Sequence, residues 1–66
     1  MIELTIDGNK SKIWFNPRNI TAVSIEAGIT RIWVSGNYED TWAVEESVET
    51  VINRINLYYL NEKGGK

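Results

Sequence analysis

The sequence predicts an α+β fold: a five-stranded antiparallel meander, built as a strongly twisted sheet or partial barrel, followed by one C-terminal amphipathic helix packed on one face. Three observations carry this expectation. Short stretches that alternate apolar and polar residues, separated by turn residues, fill the chain as far as Val44. From Ser47 onward the apolar spacing changes to three and four, the period of a helix. A chain of 66 residues has room for one domain, placed here at residues 1–63 with a flexible tail at 64–66.

Ile2, Leu4 and Ile6 alternate with Glu3, Thr5 and Asp7, which marks a strand with one buried face. Asp7-Gly8-Asn9-Lys10 reads as a hairpin turn, since Gly and Asn tolerate the positive φ of a tight reversal. The return strand covers Ser11 to Asn16. Asn16-Pro17-Arg18-Asn19 then interrupts the pattern, because proline fixes φ, lacks an N–H and keeps the preceding Asn16 extended. The third strand is Ile20 to Glu26, and the Ala27-Gly28 turn leads into the fourth, Ile29 to Ser35. A looser loop opens at Gly36-Asn37, and the fifth strand runs from about Glu39 to Val44. Ser47 is the expected N-cap of the helix, with Glu45, Glu46 and Glu49 near the positive end of its dipole. Val48, Val51, Ile52, Ile55 and Tyr59 form its apolar stripe, and the helix is expected to fade near Asn61 to Lys63, ahead of Gly64-Gly65.

Strand parity sorts the three tryptophans. With Ile2, Leu4, Ile6, Ile13, Phe15, Val23, Ile25, Ile32, Val34 and Val44 facing the helix, Trp42 falls on the same inner face and is expected in the core. Trp14 and Trp33 fall on the opposite face, among Lys12, Arg31, Ala22, Ser24, Thr5, Thr41 and Ala43. Pairing the third and fourth strands about Ala27-Gly28 sets Ala22 opposite Trp33 and Ser24 opposite Arg31. Trp14, Trp33, Arg31 and Lys12 therefore form the candidate binding or oligomer face. Three readings of it stay open: a second copy covers it, a planar ligand stacks on it beside a cation, or a curled sheet buries it. The Asn16, Arg18 and Asn19 turn is a second candidate partner site, although such asparagines more often serve the turn's own backbone.

Composition argues against catalysis. The chain has no histidine and no cysteine, so a nucleophile such as Ser24 or Ser35 has no side-chain base of the usual kind to activate it. Its glycines do not form a phosphate-cradling loop, and no cofactor or metal is expected. Glu39-Asp40 and Glu45-Glu46 are adjacent carboxylates that point to opposite faces of a strand, which suits a solvated cluster better than an acid/base pair. Net charge is −2, and the seven Lys and Arg residues form no stripe, which speaks against duplex nucleic acid. No apolar run approaches membrane-spanning length, and the alternating first residues are unlike a signal peptide, so a cytoplasmic location is expected. A core this small often relies on oligomerisation, so a dimer or higher homo-oligomer is expected. Two function classes follow: an interaction protein that modulates another protein, or an oligomeric binder that sequesters a nucleotide-like ligand.

The Met-Ile-x-Leu-Thr start, Asn16-Pro17 followed by Ile20, a β-hairpin, and Val44-x-Glu46-Ser47-Val48-Glu49-x-Val51-Ile52-x-x-Ile55 together resemble the small FlbD-type proteins of flagellar or swarming motility. The resemblance spans residues 1 to about 55, and the Glu46-Ser47-Val48-Glu49 junction is its most distinctive piece. The chain departs from the family pattern in its three tryptophans, in Gly36-Asn37-Tyr38-Glu39-Asp40 where a basic hairpin is usual, and in Thr50 where the helix usually carries an acid. The resemblance implies a non-catalytic accessory role and supplies no catalytic residues. Bacteriophages also carry small proteins of this kind, which in this setting implies an inhibitor of a host defence protein acting in the host cytoplasm.

Overall fold

The computed structural model describes residues 1–35 and 41–64. Its strands are β1 (Ile2–Thr5), β2 (Lys12–Phe15), β3 (Ile20–Glu26), β4 (Ile29–Val34) and β5 (Thr41–Val44), with helix α1 at Val48–Gly64. All strand pairs are antiparallel. The predicted α+β class and the order of its elements are therefore what the chain adopts. α1 continues to Gly64, one residue into the stretch expected as tail. The expected loop at Gly36-Asn37, the Glu39 and Asp40 start of the fifth strand, and residues 65–66 lie outside the described residues.

The strands divide into two sheets, β1-β2 and β3-β4-β5, and do not close into a barrel. The division falls where proline was expected to interrupt the pattern, since Pro17–Asn19 forms a single 3₁₀ turn between β2 and β3. Asn16 caps it by accepting the Arg18 N–H at Oδ1 (3.0 Å). Just past β1, an isolated bridge between Ile6 and Val44 joins the sheets. There Asp7 N–H donates to the Ala43 carbonyl and Glu45 N–H to the Thr5 carbonyl, both at 2.9 Å.

Register shows that the sheets fold over each other. Phe15 pairs with Ile2, four residues from the bridge at Ile6, and Trp42 lies two residues from Val44 in the other direction. In a flat sheet those six residues would separate the pair by about 20 Å along the strands. The Phe15 and Trp42 rings instead sit 6.0 Å apart, edge to face at 78°. The β1-β2 hairpin therefore lies across the inner face of the three-stranded sheet, forming one layer with α1, while β3-β4-β5 forms the other.

Ile2, Leu4, Phe15, Ile32, Val44 and Val51 are the buried core between the layers, with Ile13, Ile20, Val23, Val34, Ile55 and Tyr58 packed around it. Thr30 is buried with them because it pairs with Val44 on the same face. Strand parity assigned the face correctly, but burial differs at two positions. Trp42 is 36% exposed and is not a core residue. It sits on β5 at the edge of its sheet, where the edge of Phe15 meets its ring and solvent reaches the remainder. Ile25 is 63% exposed, because a hollow of about 420 Å³ bordered by Ile25, Ile29 and Val48 separates it from the start of the helix.

Local chemistry explains the turns and the cap. Ala27 (φ 53°) and Gly28 (φ 79°) both occupy the left-handed region, the geometry of a two-residue type I′ hairpin whose twist matches its strands. Ser47 caps α1 as expected, accepting the Thr50 N–H at Oγ (3.1 Å). The Ser47 hydroxyl in turn donates to Thr50 Oγ1 (3.0 Å), so Thr50 takes part in the cap without the reach of a glutamate.

Candidate functional site

The two outward tryptophans have different surroundings. Trp33 lies on β4 between Ala22 and Thr41, with Arg31 opposite Ser24, as the turn predicted. Its indole is half-buried, and Nε1 donates to Ser24 Oγ at 3.2 Å. Arg31 Nε lies 3.2 Å from Glu26 Oε1, and its Nη1 donates to Thr41 Oγ1 at 3.5 Å. The Glu26 contact is an ion pair approached off the N–H direction, so the buried Nε–H has no hydrogen-bond acceptor among the described residues. Trp33 is thus engaged by Ser24, and Arg31 by Glu26 and Thr41.

Trp14 differs. It is 58% exposed on β2, opposite Glu3, with Lys12 on the same strand and face. Backbone parity adds to this. The Ile6 N–H donates to the Ser11 carbonyl, so Ile13 and Phe15 point their backbone groups at β1 while Lys12 and Trp14 point theirs away. Among the described residues no strand pairs with that edge. Because the two sheets face each other across the core, their outer faces look in opposite directions. Trp14 with Lys12 on one side and Trp33 with Arg31 on the other are two surfaces, and the four residues expected as one face do not come together as a site.

The Asn16, Arg18 and Asn19 turn is committed to structure. Asn16 caps the 3₁₀ turn, the Asn19 N–H donates to the Asn16 carbonyl (2.9 Å), and the Asn19 carbonyl accepts the Ser35 N–H (2.7 Å). Arg18 pairs with Glu62 and lies over the Tyr59 ring, 5.9 Å from its centroid, tying the turn to the end of α1.

A cleft of about 660 Å³ between β1 and the second half of α1 went unforeseen; Ile2, Glu3 and Lys12 line one side and Arg54, Leu57 and Tyr58 the other. It exists because α1 runs beside the edge of β1 that β5 leaves uncovered. Side chains cap that edge: Thr5 N–H donates to Glu46 Oε1 (2.9 Å), Thr5 Oγ1 donates to Glu46 Oε2 (3.0 Å), and Arg54 Nη1 donates to the Glu3 carbonyl (2.6 Å). Burial pushes the Glu46 carboxyl up, but the Thr5 and Glu46 backbone N–H groups, the Thr5 hydroxyl and the Arg54 charge outweigh it, and the pKa lies below its ordinary value. Glu46 is therefore not part of the solvated carboxylate cluster expected from the sequence: its side chain is 14% exposed and bonded to Thr5. The carboxylate's partner Thr5 lies 41 residues away in sequence, where no local pattern shows it.

Among the described residues no group of three or more metal-ligating side chains gathers, and no helix is long and apolar enough to cross a membrane. Comparison with protein-family models, with curated proteins and with solved structures finds no match.

Proposed function

We propose that the protein is a small non-catalytic, oligomeric interaction module that binds and modulates another protein through β2, with Trp14 as the anchor. The exposed Trp14 carries this reading: a large rigid aromatic stands on a strand edge that no strand pairs with among the described residues. An extended segment of a partner adds to such an edge through main-chain hydrogen bonds, and side chains such as Trp14 and Lys12 select it. The adjoining cleft, lined by Glu3, Glu46 and Glu62 together with Lys12 and Arg54, extends the same surface toward α1. A nucleotide-like ligand is the weaker alternative, because it calls for converging cations. Arg18, Arg31 and Arg54 each pair with a carboxylate, Lys10 pairs with Glu45, and the Lys12 amine donates to Thr5 Oγ1.

The resemblance to FlbD-type proteins supplies two settings for such a module, a motility accessory factor and a phage-encoded inhibitor of a host protein, both in the cytoplasm. In vivo photo-crosslinking tests the reading. A crosslinker at position 14 is expected to capture one defined protein, while one at position 9, in the hairpin turn, captures none. Equal, unselective labelling from both positions overturns it.

A further inference from the structure

We infer that the free edge of β3 is the self-association surface, where a second copy of the chain pairs antiparallel to extend the three-stranded sheet to six strands. This specifies the oligomer of the proposed module and uses a surface separate from Trp14. Among the described residues β3 is the longest strand, with seven residues, and it forms one outer edge of its sheet. Residues Glu26 and Ile29 flank a two-residue turn and exchange both backbone hydrogen bonds, so the alternation that follows directs the N–H and C=O of Val23 and Ile25 away from β4. Among the described residues nothing accepts from or donates to those four groups.

Natural edges are guarded by lysine, proline, inward charges or a covering element. β1 shows such guarding, through Glu46 and Arg54. β3, Ile-Thr-Ala-Val-Ser-Ile-Glu, has no lysine and no proline, and its single charge, Glu26, is neutralised by Arg31 of the same chain. The edge is also self-complementary. A two-fold axis at Ser24 sets Val23 opposite Ile25 of the second copy and Ile25 opposite its Val23, closing four backbone hydrogen bonds. Ser24 then faces Ser24, small against small, and Ala22 faces Glu26. The two Glu26 carboxylates stand four residues apart along the strands, about 13 Å, so they do not oppose each other. Ile25, 63% exposed in the single chain, is covered by the Val23 of the second copy, and Ile52 of α1, 41% exposed, lies four residues along the helix from Val48, which borders the same hollow as Ile25.

Sedimentation velocity and concentration-dependent amide exchange test this together. The wild-type chain is expected to dimerise at micromolar concentration, with the Val23 and Ile25 amides slowing as the dimer forms. Ile25→Lys is expected to weaken the dimer at least tenfold while keeping a cooperative thermal transition, and Trp14→Ala is expected to leave it intact. A wild-type monomer at high concentration overturns the inference, as does a dimer in which those two amides exchange freely. Amide exchange reads the wild type, so it decides even where Ile25→Lys fails to fold. Loss of partner capture in Trp14→Ala bears on the proposed function alone.

Discussion

Phe15 meets Trp42 edge to face across the two sheets, at 6.0 Å between ring centroids, and this contact pins the β1-β2 hairpin onto β5. Backbone hydrogen bonds join the sheets only around the Ile6–Val44 bridge among the described residues, so the aromatic pair holds the far end of the overlap. Phe15→Ala, which truncates a buried ring, is expected to cost about 3–5 kcal/mol. Trp42→Ala removes a larger side chain that is already one-third in water, so about 1.5–3 kcal/mol is expected. Urea unfolding of both single variants and the double variant should give a coupling of about 0.5–1.5 kcal/mol. Additive losses would show that the rings act independently.

This pair marks the boundary of what the sequence reveals. Alternation is a local property, and it places Phe15, Trp42 and Ile32 on one face, while the Ala27-Gly28 turn pairs Ala22 with Trp33. Depth of burial is not local. It depends on how far the hairpin swings over the sheet, and that is set by the β1-to-β5 bridge and the 3₁₀ turn, which join segments far apart in the chain. The same limit explains the candidate site. Parity gave Trp14 and Trp33 the same sign, but one sign on two opposed sheets means opposite directions in space.

Glu46 supplies a pH dependence. Its side chain is 14% exposed and holds the Thr5 N–H and hydroxyl. Folding depresses its pKa below the ordinary 4.5, so the folded chain favours the ionised form. The stabilisation is complete above that value and is lost as pH falls through the lower folded pKa. Glu46→Gln keeps an acceptor for Thr5 but abolishes the titration, and it is expected to flatten the stability profile below about pH 4.5. Glu46→Ala leaves the Thr5 N–H without its acceptor and is expected to cost about 1–3 kcal/mol at neutral pH. Chemical denaturation of the three proteins from pH 3 to 7 reads both effects.

The Ala27-Gly28 turn carries avoidable strain. An alanine at φ 53° places its Cβ against the following carbonyl oxygen, at a cost of about 1–2 kcal/mol. Asparagine tolerates that region and favours the first position of a type I′ turn. Ala27→Asn is therefore expected to stabilise the fold by about 0.5–1 kcal/mol, a rise of several degrees in Tm for a domain of this size. Gly28→Ala, at φ 79°, is expected to lower Tm, and differential scanning calorimetry compares the two directly.

Trp14 and Trp33 should separate in solution as they do in space. The Trp14 ring is mostly in solvent and buries little that folding relies on, so Trp14→Ala is expected to change stability by less than about 1 kcal/mol while abolishing partner capture. Trp33 is half-buried and donates to Ser24, so Trp33→Ala loses packing and leaves the Ser24 hydroxyl without that donor, a loss of about 1–3 kcal/mol. Acrylamide quenching of single-tryptophan variants reports the exposures: position 14 should quench most strongly, position 42 less, and position 33 least. If position 33 quenches as readily as position 14, the Trp33 indole is not held against Ser24, and the Trp33 and Arg31 surface regains its standing as a docking face.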